Sequence, residues 1–171
     1  TNTVVVRGLN DDEVLDFARL TLTEDWHVRF IEIMPLGAST AWSGNGYVST
    51  AEMRRWIEAG LTRLEPASLD AGGGPARYYR LPGAVGTIGF ISHISEHFCF
   101  QCNRRRLTAD GRLRPCLLSE SEIDLRTPLR QGADVDELRR LLVQAIGAKP
   151  ERHRLAENVI PQGRVMSEIG G

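Results

Sequence analysis

The sequence predicts an α/β chain in two parts: residues 1–36 end a parallel array, and residues 37–171 form an α+β domain with a small antiparallel sheet and a metal site. Three observations predict it. Two β-branched or apolar runs flank one amphipathic segment near the start. Three further strand-like runs follow with no helix between them. Cys99-x2-Cys102 is then answered by Cys116 across a turn signal.

Residues 2–7 (NTVVVR) read as a buried strand ended by Gly8. Asn10 or Asp11 is placed to cap the next helix, and Asp11, Asp12 and Glu13 suit its N-terminal dipole. Val14, Phe17, Ala18 and Thr21 or Leu22 recur at helical spacing, and residues 27–34 form a second strand stopped by Pro35 and Gly37. Strand, helix, strand in that order predicts a right-handed parallel unit. Two strands cannot complete such a sheet, so residues 1–36 read as the end of something larger. The chain also opens on Thr1 rather than Met, directly in a strand-like run, as a fragment lacking its N-terminal part would.

Beyond Gly37 the pattern changes. Ser49 with Glu52 makes a capping-box signature ahead of a helix at 50–59, which Gly60 ends. Residues 61–66, 77–81 and 87–92 are strand candidates separated by Gly- and Pro-rich turns, and their succession predicts antiparallel pairing. Val135, Leu138, Leu141, Leu142 and Ala145 give a later helix one apolar face, closed by Gly147 and Pro150.

A chain of 171 residues, 42% hydrophobic and 25% charged, has a soluble composition and room for a substantial core. A formal net charge of −1 argues against binding nucleic acid or membrane through the whole surface. No apolar run approaches the ~20 residues that span a bilayer. Three cysteines, two of them closely spaced and with no secretory features around them, predict metal binding in a reducing cytosol rather than a disulfide framework.

Residues 98–117 read FCFQCNRRRLTADGRLRPCL. The CxxC spacing is shared by zinc and iron–sulfur sites. Asp110-Gly111 marks a hairpin turn that would bring Cys116 back beside the first pair. Three thiolates leave a tetrahedral zinc site one ligand short, which His93 or His97 could supply. The alternative is a four-iron cluster with one iron open to a substrate, and three unrelated thiols is the plain reading. Arg104, Arg105 and Arg106 follow at once; guanidinium forks suit phosphate oxygens, although a solvated basic surface or charge compensation for the thiolates would look the same.

The run Phe98-Cys-x-x-Cys-Asn103-Arg104-x-Arg106-Leu-Thr108-x-x-Gly111-x-Leu113-x-x-Cys116-Leu117 resembles the C-terminal cluster motif of the GTP 3′,8-cyclases, radical S-adenosylmethionine lyases of molybdenum cofactor biosynthesis. Asn2-Thr-Val, Gly8-x-Asn10-Asp11, Arg29-Phe-Ile-Glu32-x-Met34-Pro35 and the ending Arg164-x-Met166-Ser167-x-Ile169-Gly170-Gly171 extend the resemblance along the whole chain. It implies that residues 1–36 are the last elements of an incomplete (βα)6 TIM-like barrel. It implies a [4Fe–4S] cluster on Cys99, Cys102 and Cys116 that binds GTP through an open iron, with Arg104, Arg105 and Arg106 on the nucleotide. Met34 would touch S-adenosylmethionine, and the Gly170-Gly171 tail would reach into the active site. The family's reaction yields (8S)-3′,8-cyclo-7,8-dihydroguanosine 5′-triphosphate. The resemblance further implies a cytoplasmic homodimer whose product passes to cyclic pyranopterin monophosphate synthase, with no nucleic-acid or membrane partner.

One family feature is missing. The chain has no CxxxCxxC, the motif for the first, radical-generating [4Fe–4S] cluster, so these residues alone are expected to be inactive. Read without the resemblance, Met34 is a core residue at a strand end, and the glycine pair is a frayed terminus. His27 and His153 carry no signal, and Trp26, Trp42 and Trp56 read as packing residues. The rival from another class is a zinc-stabilised nucleic-acid-binding module, which the basic triplet favours and the near-neutral charge opposes.

Overall fold

The computed structural model describes residues 1–36, 45–68, 74–96, 98–157 and 159–169. Two compact units emerge, Thr1–Met34 with Ser39–Phe98 and Pro35–Ala38 with Cys99–Gly171, so strands from both sides of residue 36 share one unit.

The first unit is built on a mixed sheet. Strands β1 (Asn2–Val5) and β2 (His27–Glu32) run parallel, bridged by helix α1 (Val14–Thr23), as the strand–helix–strand pattern predicts. Helix α2 (Thr50–Gly60) follows, then β3 (Glu65–Ala67), β4 (Arg77–Arg80) and β5 (Thr87–Ile91). The order across the sheet is β1-β2-β5-β4-β3. The antiparallel expectation for the last three strands holds for β3–β4 and β4–β5 but misses a second pairing, because β5 also runs parallel to β2. That places β5 at the centre of the sheet, and all five of its residues are buried. The strand expected at 61–66 shrinks to Glu65–Ala67 at the opposite edge, where Pro66 lacks only a donor that an edge strand can spare.

Val14 and Ala18 of α1 and Met53 and Ile57 of α2 pack with Val5, Val28, Phe30, Ile88 and Phe90 of the sheet. Phe30 and Phe90 are register partners with ring centroids 5.9 Å apart. Gly89 lies between Arg29 and Tyr78 in the ladder, and without a side chain there the Arg29 Nε can donate to the Tyr78 hydroxyl at 2.7 Å over it.

Period-2 alternation along β2 turns Val28, Phe30 and Glu32 to the buried side. Glu32 is therefore a fully buried carboxyl at the end of a core strand. Its oxygens accept from the backbone N–H of Thr50 at 3.0 Å, of Ile94 at 2.9 Å and of Ser95 at 3.0 Å, and from the Ser95 hydroxyl. One side chain thus caps the start of α2 and closes the turn after β5. Burial, and then the charge of Glu32, push the neighbouring Tyr47 phenol up to about 12.

Two local expectations change. Asn10 does not cap α1; its amide accepts from Val6 N–H at 2.8 Å and donates to the Val4 carbonyl at 3.0 Å, tying down the end of β1, and Asp11–Glu13 form a 3-10 turn instead. Ser49 does cap α2 through Glu52 N–H, but the Glu52 side chain pairs with Arg7 at 2.8 Å rather than completing the capping box.

The second unit carries strands β6 (Arg106–Leu107), β7 (Arg112–Arg114) and β8 (Ile123–Asp124) in one small antiparallel sheet, then helices α3 (Arg126–Arg130) and α4 (Val135–Gly147). Asp134 caps α4 by accepting from Glu137 N–H at 2.8 Å. Of the apolar face predicted for α4 only Ala145 is buried, while Val135 is 75% exposed; periodicity marked the stripe but not a partner to cover it. Among the described residues no helix is long and apolar enough to cross a membrane.

Replacing Glu32 by Ala removes the acceptor of one buried and two partly buried backbone donors, so urea unfolding should show a loss of about 2 kcal/mol. Glu32→Gln, which keeps an acceptor, should lose clearly less; equal losses would remove the carboxyl from this role.

Candidate metal centre

Cys99 opens a 3-10 turn over Cys99–Gln101, and Cys102 N–H donates to the Cys99 carbonyl at 3.1 Å. A single turn of backbone thus carries both cysteines of the CxxC. Cys116 returns by the hairpin β6–β7, in which Arg106 pairs with Arg114 and Leu107 with Leu113. The buried Thr108 is the hinge of this hairpin. Its N–H donates to the Arg112 carbonyl at 2.8 Å, its Oγ1 accepts from Arg112 N–H at 2.8 Å, and its carbonyl accepts from Gly111 N–H at 3.0 Å. Gly111 sits at φ 81°, as the Asp110-Gly111 signal requires, and a Cβ there would lie 2.7 Å from Cβ of Arg126. Cys116 follows two residues after β7.

All three cysteines are half-buried free thiols. Burial pushes the Cys102 thiol up, but hydrogen bonds from the Arg104 backbone and guanidinium and the charges of Lys149 and Arg104 outweigh it, leaving its pKa lowered. Cys116 goes the other way: burial dominates, the Leu118 N–H and the charge of Lys149 oppose it, and the charges of Cys99 and Cys102 add to the rise. Cys116 is therefore within electrostatic reach of both Cys99 and Cys102. Among the described residues, however, no three His, Cys, Asp or Glu side chains converge on a single-ion site. The donor set, three soft thiols of which one is acidified, has the chemistry of an iron–sulfur or zinc ligand set.

The arginine triplet divides its labour. Arg104 donates to Cys102. Arg105 turns back on its own loop and donates to the Asn103 carbonyl at 2.8 Å. Arg106, half-buried at the start of β6, has its pKa lowered by burial and then by the adjacent charge of Arg104. Two guanidiniums that repel each other in a partly desolvated place are stabilised by an anion.

Lys149 escaped the sequence reading, and Arg164 entered it only as part of the resembling tail, with no role. The Lys149 Nζ donates to Cys102 Sγ at 3.7 Å and to the carbonyls of Arg104 at 3.1 Å and Pro115 at 3.2 Å. The signal that could have found it is compositional: it is the only lysine in the chain, the rest of the 21 Lys and Arg residues being arginine. Arg164 clamps the tail to the hairpin, through Asp110 Oδ2 at 2.9 Å and Glu122 Oε1 at 2.7 Å. Glu122 also lies 4.0 Å from the buried Arg114. Ala109 N–H donates to the Glu168 carbonyl at 3.3 Å, and Ile169 is fully buried.

Met34 is placed two residues past β2 in the first unit, half-buried. His93, in the same unit, meets Phe98 edge to face at 5.4 Å. His97, Trp42, Gly170 and Gly171 lie outside the described residues.

A family model described as Molybdenum Cofactor Synthesis C matches residues 26–155. Curated proteins named GTP 3′,8-cyclase are similar over almost the whole chain. The one from Pelotomaculum thermopropionicum is 54% identical over 170 residues, covering 99% of this chain and 52% of its own length. Those from Heliobacterium modesticaldum (55% over 172 residues) and Moorella thermoacetica (50% over 170 residues) show the same coverage of both chains. The chain spans about half the length of the curated relatives it matches.

Hydrogen bonds from Arg164 and then Thr108 pull the exposed Asp110 carboxyl down to about 2. A carboxyl depressed in the folded state stabilises above its ordinary value near ~4, and that contribution is lost as the pH falls towards about 2. Urea midpoints should therefore fall more steeply over this window in the native chain than in Asp110→Asn. Parallel curves would show that the clamp contributes nothing.

Proposed function

The chain belongs to the Molybdenum Cofactor Synthesis C family, and from that premise we propose that it is the substrate-holding C-terminal part of a GTP 3′,8-cyclase. The observation that carries the reading is one locus in which a single turn bearing Cys99 and Cys102, the Cys116 segment returned by the β6–β7 hairpin, and Arg104 and Arg106 occur together.

On this reading Cys99, Cys102 and Cys116 hold a [4Fe–4S] cluster, which supplies an iron open to a nitrogen or oxygen of guanine. Thiolates on such a cluster bind separate irons and need not converge on one point, in keeping with the absence of a single-ion site among the described residues. Hydrogen bonds and positive charge on Cys102 favour the thiolate, the form that ligates. Arg104 and Arg106 bind the triphosphate, and Arg105 offers the donors that Asn103 leaves over. The parallel β1–β2 pair bridged by α1 supports residues 1–36 as the last elements of an incomplete (βα)6 barrel, and the cluster and GTP are then held within 37–171. Met34, two residues past the C-terminal end of β2, is the residue this reading assigns to S-adenosylmethionine, since strand C-terminal ends line the active face of such barrels. The Arg164 clamp holds the stem of a tail whose Gly170-Gly171 end serves the active site.

The radical itself is outside this chain's means, since it has no CxxxCxxC. The first cluster, most contacts to S-adenosylmethionine and the completed homodimer belong to the whole protein, whose product goes on to cyclic pyranopterin monophosphate synthase. The 171 residues alone are inactive on this reading.

Anaerobic reconstitution tests it. Iron and sulfide bound in equal amounts support the reading; one tight zinc and no sulfide would replace it with the zinc module. In the reconstituted chain Arg106→Ala should weaken GTP at least tenfold, and with Arg104→Ala roughly 100-fold, from the loss of charge-assisted hydrogen bonds. Arg106 is the cleaner probe because Arg104 also serves Cys102. Unchanged GTP affinity in the double variant refutes the phosphate roles.

A further inference from the structure

An ammonium group has three N–H donors and no acceptor, arranged tetrahedrally around one nitrogen. The three acceptors around Lys149 Nζ all belong to the segments that carry Cys102 and Cys116. Cys102 Sγ and the Arg104 carbonyl lie on one, and the Pro115 carbonyl, next to Cys116, lies on the other. These segments are joined in sequence by the β6–β7 hairpin, whose ladder ends at the Arg106–Arg114 pair, short of both Cys102 and Cys116. Lys149 bridges the two segments beyond that last pair, where the ladder supplies no bond. Its own position is set by α4: it lies two residues past Gly147, its N–H donates to the Ile146 carbonyl at 3.3 Å, and Ala148 N–H donates to the Gln144 carbonyl at 2.9 Å.

The residue type adds a second argument. The chain uses arginine at every other basic position, on helices, strands and loops alike. A guanidinium is a flat fork suited to two parallel acceptors and cannot direct three donors from one point. The one lysine stands where three acceptors do converge on one point.

We propose that Lys149 is a positioning residue of the metal centre, stapling the Cys102 and Cys116 segments together and donating an N–H to the Cys102 sulfur. The inference rests on the reading of these cysteines as metal ligands. It assigns to the end of α4, which brings no ligand, control over how the thiolates are spaced and how electron-rich one of them is. Donors to a ligating sulfur draw negative charge from it, so an iron–sulfur centre so held is easier to reduce.

The test uses the anaerobic 171-residue chain with Lys149→Met and Lys149→Arg, and Cd2+ as the probe, read by thiolate-to-metal absorption. Cd2+ binding reports the thiolate arrangement without requiring a cluster or any activity. Lys149→Met should weaken Cd2+ binding about tenfold or more, as loss of a ligand-orienting partner does. Lys149→Arg, which keeps the charge but not the three-point geometry, should weaken it too. In chains reconstituted with iron and sulfide, Lys149→Met should shift the reduction potential to more negative values and Lys149→Arg should shift it less. A merely structural role for Lys149 would not produce that ordering. Wild-type Cd2+ affinity in Lys149→Met overturns the inference. If Lys149→Met proves unfolded by circular dichroism, wild-type affinity in the folded Lys149→Arg overturns it equally. A native chain that binds Cd2+ in a Lys149-dependent way but takes up no iron and sulfide sinks the cluster reading and leaves the staple standing; one that binds no Cd2+ sinks both.

Discussion

The second unit depends on a loop closure. Cys102 and Cys116 are separated by thirteen residues, and an open chain of that length would rarely bring its ends together. The hairpin removes most of that freedom. Thr108 is bonded across the turn to Arg112 through both its backbone and its side chain, and Gly111 takes a left-handed conformation that other residues adopt only with strain. Once β6 and β7 are paired, the return of Cys116 follows from their register. Everything added later acts on a loop already closed: Arg164 grips Asp110 at its tip, Lys149 joins the two ends, and β8 extends the sheet from β7.

The first unit is organised differently, around burial rather than turn geometry. The central strand β5 contributes residues that are buried on both sides, and β2 beside it alternates inward and outward. The inward row ends not in another hydrophobe but in Glu32. A buried carboxyl is costly unless its hydrogen-bonding capacity is filled, and here the chain fills it with the start of α2 and the turn after β5. These two places are far apart in sequence and have no ladder or helix bond in common. Glu32 supplies the bond that sheet pairing cannot, because both are ends where regular structure stops.

What was legible in the sequence was whatever is encoded over a few residues. The strand begun at His27, the Ser49 cap and the Asp110-Gly111 turn each act through neighbours in the chain, and each is found where the pattern places it. Partners were not legible. Nothing in residues 87–91 says that they lie between β2 and β4, parallel to one and antiparallel to the other, because that choice is made by residues sixty positions away. The same limit explains α4, whose apolar spacing is plain but whose face stays largely uncovered in this chain. It also explains Asn10, which has the right type for a cap yet satisfies the end of β1 instead. At the candidate site the three cysteines were readable because CxxC is a local spacing. Lys149 was not, since a lysine after a helix usually means no more than a solvated charge near the helix dipole.

On the proposed reading the charges of the site serve two clients at once. A cluster held by thiolates is electron-rich, and a nucleoside triphosphate carries several negative charges, so bringing one to the other is electrostatically unfavourable without compensation. The structure separates that compensation into two kinds. Lys149 is turned entirely to the ligand-bearing backbone and to Cys102, with its three donors used, and so has none left for a substrate. Arg106 carries a charge made uncomfortable by Arg104 and by burial, which is the condition an arriving phosphate would relieve. Arg104 belongs to both sets, because its guanidinium donates to Cys102 while its charge is felt at Arg106. On the proposed reading a phosphate drawing on Arg104 would also change what Cys102 receives. Substrate charge and thiolate electron density are then coupled through one side chain, and Lys149 is the part of the compensation that substrate binding leaves unchanged.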